Sequence, residues 1–112
     1  MSYKIKSRIW IEHENGVLLG EGRVQLLKAI DDTGSLSKAA KSLNISYKKA
    51  WDLIDSVNKS AKQPVTINSI GGKGGGGAEL TEYGKSLINV FDDINKNCWD
   101  FLDLQLEKIK SL

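Results

Sequence analysis

"SLSKAAKSLNISYKKAWDLIDSVN", residues 35–58, decides the fold. Leu36, Ala39, Ala40 and Leu43 recur at i, i+3, i+4 and i+7, the spacing of one apolar helix face, and Ser35 stands where a helix N-cap belongs. The pattern restarts after a short break. Ser46 can cap a helix whose inward positions are Ala50, Leu53, Ile54 and Val57. Asn44 lies in the break, and asparagine tolerates a positive φ better than most residues. Ala40 is small where two helices would approach, and Ile45 can fill the gap between them. Two short helices joined by so tight a turn predict a helix-turn-helix unit.

Upstream, "GEGRVQLLKAIDDTGS" places Val24, Leu27, Ala29 and Ile30 near helical spacing. A helix over about 21–32 is expected, with Gly34 as a left-handed stop. Before it, "YKIKSRIWIEHENGVLLG" is short, β-branched and aromatic, with Asn15-Gly16 as a turn signal. That predicts a β-hairpin over roughly 4–19.

Downstream, "VTINSI" after Pro64 reads as a strand and "AEL" as a short return strand. Between them runs "GGKGGGG", residues 71–77. A glycine run is either a linker or a tip that must approach something closely. Here it joins two strands directly after a helix-turn-helix pair, the place of the wing in a winged helix, about residues 65–80. A tip without side chains can lie on a sugar-phosphate backbone, with Lys73 supplying charge beside Gly74 and Gly75. Thr81 can cap a last helix of about 81–110. Leu80, Gly84, Leu87, Phe91, Ile94, Cys98 and Phe101 follow a 4-3-4-3 spacing on it. A second stripe runs through Ile88, Trp99, Leu102, Leu106 and Ile109. So wide a face exceeds what one small domain covers. Leu87, Phe91, Ile94, Cys98, Phe101 and Leu102 are therefore expected at a two-fold dimer interface, with packing against the N-terminal hairpin as the other use of the face.

The fold class expected is α+β, mainly helical, in one domain of 112 residues. The formal net charge is only +2, but residues 35–63 hold six lysines against two aspartates, which suits a polyanionic partner. The single cysteine, Cys98, excludes an internal disulfide and fits a reducing cytoplasm. No apolar run is long enough for a membrane span, and the N-terminus lacks a signal peptide's apolar stretch.

An enzyme is disfavoured. "GKS" at Gly84–Ser86 lacks the upstream glycine of a phosphate-binding loop, where Glu79 stands instead. His13 is the sole histidine, with no further metal ligands placed near it, so neither metal nor cofactor is expected.

For duplex DNA, a recognition helix leads with its N-terminal residues. Ser46, Tyr47, Lys48, Lys49 and Trp51 are the candidates there. Lys48 and Lys49 can reach guanine edges or phosphates, and Tyr47 a phosphate or a thymine methyl. Trp51 is equally suited to packing. Asp52 can accept from a cytosine amine or orient a lysine. Ser37 and Lys38, in the first turn of the preceding helix, can meet phosphate. The rival is a winged helix that docks a protein through its long last helix and never meets DNA.

The stretch "LLKAIDDTGSLSKAAKSLNISYKKAWDLIDSVN", followed by "GGKGGGGAELTEYGKSLI", resembles the N-terminal DNA-binding domain of the molybdate-dependent transcriptional regulator (ModE) family, over about residues 3–95. It is similar, more loosely, to LysR-type winged helices. The resemblance implies a prokaryotic, cytoplasmic homodimer on operator DNA, with Ser46–Trp51 in the recognition helix, Lys73–Gly77 in the wing and a C-terminal helix for dimerisation. Full-length members carry a separate module for molybdate or tungstate. No part of this chain matches it, so molybdate is not expected to bind and a stand-alone DNA-binding domain is the expectation.

Overall fold

The computed structural model describes residues 2–14, 16–69 and 77–112. Its elements are β1 (Trp10–His13), β2 (Gly16–Gly20), α1 (Glu21–Thr33), α2 (Leu36–Ser42), α3 (Tyr47–Ser60), β3 (Thr66–Ser69), β4 (Gly77–Leu80) and α4 (Glu82–Lys110). Each strand pair is an antiparallel two-stranded sheet. The architecture is a winged helix-turn-helix with an N-terminal hairpin and a long last helix, as the sequence pattern predicts.

The helix boundaries follow from local chemistry. Gly34 stops α1 at φ 68°, and its N–H donates to the Ile30 carbonyl. Ser35 and Ser46 cap α2 and α3, their hydroxyls accepting from the Lys38 and Lys49 N–H groups at 3.1 and 3.0 Å. Asn44 takes the tight turn at φ 58°. The N–H of Ile45 then donates back to the Ala40 carbonyl, and the Ile45 side chain packs on the core.

Leu26, Leu27 and Ile30 of α1 meet Ala39 and Ala40 of α2, Ala50 and Val57 of α3, and Leu19 of β2 in one buried cluster. Burying each large side chain contributes about 1.5–3 kcal/mol, which is what fixes the angle between α2 and α3. The first turns of α4 close the core with Ile88 and Phe91.

The wing is tied to this core at both ends. The Ala78 N–H donates to the Gly34 carbonyl, so β4 hangs on the α1–α2 turn. Asn58 of α3 holds the other strand: its Oδ1 accepts from the N–H groups of Val65 and Thr66, and its Nδ2 donates to Thr66 Oγ1. Thr81 caps α4 while its hydroxyl also donates to the Pro64 carbonyl at 2.7 Å. Gly84 then lies against the Val65 backbone, where a Cβ would overlap the Val65 carbonyl oxygen. The glycine of "GKS" serves this close approach inside a helix rather than a phosphate loop.

The hairpin departs from expectation in two ways. Pairing begins at Trp10, not near residue 4. Residues 2–9 have no strand partner among the described residues, yet Ile5, Ser7 and Ile9 are half-buried and alternate with exposed neighbours. Ser7 Oγ lies 3.9 Å from Cys98 Sγ, so this segment meets α4 at that point instead of extending the hairpin. The turn is also displaced by one residue. His13 pairs with Gly16, which makes Gly16 the first residue of β2.

Candidate nucleic-acid interface

The leading end of α3 is exposed on two sides with different chemistry. Tyr47 and Trp51, one turn apart, are 57% and 50% exposed. They line a groove of about 780 Å³ that runs from α3 to the wing strands, with Ser37 of α2 on its near wall and Thr66, Ile67 and Asn68 on its far wall. Lys48 and Lys49 face the other way. They line a hollow of about 440 Å³ together with Ser46, Asp52, Leu53 and Arg23 of α1.

The expected contact residues therefore divide. Ser37, Tyr47 and Trp51 share the wing-side groove, and Ser46, Lys48 and Lys49 share the α1-side hollow. Lys38 is exposed on α2 and lines neither. Lys73, Gly74 and Gly75 lie outside the described residues. Trp51 lies at the groove surface rather than in the core, which leaves half its ring available to a ligand.

Asp52 orients a lysine: Lys48 Nζ donates to its carboxylate at 3.1 Å, with 84% of the lysine side chain exposed. So open a pair contributes little to stability and leaves the ammonium free to exchange partners. Asp55, on the groove side, is neutralised by Lys59 at 2.8 Å. Hydrogen bonding to Asp55, and then its charge, raises the Lys59 pKa, so that lysine stays cationic. Among the described residues no group of three or more His, Cys, Asp or Glu could hold a metal, and no helix is long and apolar enough to cross a membrane.

Two residues that sequence reasoning missed help to build the interface. Asn58 sets the distance between α3 and the wing. Its signal was a lone amide at the end of an apolar stripe, a few residues before the strand that follows Val65. Arg23 enters the hollow from α1, where two basic residues are outnumbered by three acidic ones, so its charge did not single it out in the sequence.

The residues expected at a dimer face differ in burial. Phe91 is 3% exposed and belongs to this chain's own core, and Leu87 packs partly against the same core. Cys98 is half-buried beside Ser7. Phe91 and Leu87 turn toward the core of the winged body, and Cys98 toward the N-terminal segment. Of the expected set, Ile94 and Phe101 are exposed and Leu102 is half-buried. Val90 and Leu104, which the sequence reading did not select, are 55% and 71% exposed. Leu87, Val90, Ile94, Asn97, Phe101 and Leu104 alternate 3-4-3-4-3 along α4, the repeat of a coiled-coil seam.

Comparison with known proteins places this geometry. The molybdenum transport protein ModE of Azotobacter vinelandii is 34% identical over 106 residues, covering 95% of this chain and 39% of that protein. The transcriptional regulator ModE of Yersinia pestis is 50% identical over 70 residues, 62% of this chain and 27% of that one. Over most of its length, this chain is a ModE homologue. The DNA-binding transcriptional dual regulator ModE of Escherichia coli K12 is a further relative, 45% identical over 83 residues, or 71% of this chain and 32% of that protein. The chain spans about a third of the length of the ModE proteins it matches. No protein-family model matches the chain. Among solved structures, ArgP from Mycobacterium tuberculosis superposes with a TM-score of 0.51 over 79% of this chain and 30% of that one. At 17% identity that likeness concerns the fold alone.

Proposed function

We propose that the chain is the DNA-binding part of a transcriptional regulator of the ModE type, reading duplex DNA in a sequence-specific way as a homodimer on a two-fold operator. The observation that carries this reading is the capped, lysine-bearing end of α3, exposed and flanked by a hairpin wing. In the proposed complex Ser46, Tyr47, Lys48, Lys49 and Trp51 enter the major groove, and Ser37 and Lys38 hold the phosphates beside it. Lys73, Gly74 and Gly75 ride the adjacent backbone. The exposed repeat on α4 supports two-fold pairing, with Ile94, Phe101, Val90 and Leu104 at its centre and Leu102 at its margin. Such a regulator works in the cytoplasm, where its unpaired cysteine stays reduced.

The same strip of α4 favours the rival reading, a winged helix that docks another protein. Anisotropy titration of generic duplex DNA at two salt concentrations separates them. A DNA binder loses log affinity with log salt at a slope of about 0.9 per phosphate neutralised. Binding that ignores salt, or none at low salt, refutes the DNA reading.

A further inference from the structure

We infer, on the reading that α3 enters duplex DNA, that Arg23 is a phosphate clamp for the strand flanking that groove, a second backbone contact on the side of α3 opposite the wing, beside the groove-entering Lys48 and Lys49. Arg23 stands in the first turn of α1, with its Nε buried and without a hydrogen-bond partner among the described residues. It lines the hollow that Ser46, Lys48, Lys49, Asp52 and Leu53 complete. Three cations thus face one carboxylate, and Asp52 is already engaged by Lys48 at 3.1 Å. Arg23 as a whole is half-buried, and a hollow lined by three cations and one engaged carboxylate suits an incoming anion with several acceptor oxygens. A phosphodiester fits that demand, because a guanidinium can present two parallel donors to two phosphate oxygens. The hollow adjoins the lysines that lead α3, which puts the strand beside the major groove within reach. The acid nearest Arg23 on its own helix, Glu21, is engaged by Arg8 at 3.7 Å.

The test is anisotropy titration of one duplex across a salt series with wild-type protein, Arg23→Gln, Arg23→Lys and Lys48→Ala, each checked for folding by circular dichroism and thermal melting. Arg23→Gln is expected to bind about tenfold or more weakly, to lose affinity equally on unrelated sequences, and to reduce the salt slope by about one phosphate. Arg23→Lys keeps the slope but regains only part of the affinity. An unchanged slope for Arg23→Gln overturns the clamp, whether or not affinity falls, because a merely structural arginine would leave counterion release untouched. If wild-type protein does not bind duplex at all, the DNA reading fails. If Lys48→Ala lowers the slope and Arg23→Gln does not, only the clamp fails. Inorganic phosphate, titrated against chloride at matched ionic strength without DNA, distinguishes a free-anion site. Saturable amide shifts at Ser46–Lys49 that vanish in Arg23→Gln would overturn the assignment to DNA, and their absence supports it.

Discussion

Gly84→Ala tests whether the wing and α4 are locked as described. A methyl group at this position overlaps the Val65 carbonyl oxygen and stands 3.0 Å from Val65 Cγ1. The overlap is with backbone, which cannot swing aside as a flexible side chain would. Relief requires Val65 to retreat by about an ångström, toward the ~3.5 Å of ordinary contact. Val65 is fully buried, and its carbonyl accepts from the Thr81 N–H at 3.0 Å. Overpacking of this kind costs about 1–3 kcal/mol, and weakening that hydrogen bond costs about 1 kcal/mol more. Against this, alanine regains up to about 1 kcal/mol of helix propensity. The net expectation is a loss of about 2 kcal/mol, or roughly 8 °C in Tm for a domain of this size. Urea denaturation and thermal melting at fixed protein concentration measure it. Gly22→Ala is the matched control, since nothing lies within 4 Å of a Cβ there, and it should be neutral or stabilising by up to about 1 kcal/mol. If Gly84→Ala is as stable as the parent, the close approach of α4 to Val65 is wrong.

Lys48→Ala should leave the melting temperature unchanged, since its pair with Asp52 is exposed, while weakening operator binding by about 1–3 kcal/mol and relaxing sequence preference. Equal affinity on a selected operator would remove α3 from the major groove. Asn58→Ala strips the Val65 and Thr66 N–H groups of their acceptor and should cost about 2 kcal/mol, with faster hydrogen exchange at those two amides; exchange at the parent rate would refute the anchoring role. Ile94→Lys removes an apolar contact from each side of the proposed seam and should raise the dimer Kd by about a hundredfold in sedimentation equilibrium. A dimer of unchanged strength would move the interface off α4.

The helix-turn-helix was legible because its determinants are local. Ser35, Ser46, Gly34 and Asn44 act within four residues of where they stand, so their capping and turn roles survive into the fold unchanged. The wing was legible for the same reason, from two short β-rich runs around a glycine break. The register of α4 was not. Phe91 and Val90 are adjacent in sequence and both apolar, and each begins a plausible 3-4 stripe. Which stripe the chain covers is decided by the N-terminal segment and by Val65 packed on Gly84, both remote in sequence. The hairpin start failed likewise: Ile5, Ser7 and Ile9 alternate as a strand does, but they have no strand partner among the described residues, and Ser7 meets Cys98 of α4 instead. Arg23 is separated from Ser46 by the rest of α1 and the whole of α2, and only the packing of α1 on α3 brings them to one hollow.

Between Gly84 and Lys110, α4 contains neither glycine nor proline, and its early turns are buried in the winged body while its later turns carry the exposed repeat. One unbroken rod thus joins the reading head to the proposed twofold axis, so two paired copies behave like a caliper with a fixed jaw setting rather than a hinged pair. Each residue added to the rod would swing the head by about 100° and advance it by about 1.5 Å. On the proposed two-fold reading, the gap permitted between operator half-sites would be written into the length of this helix.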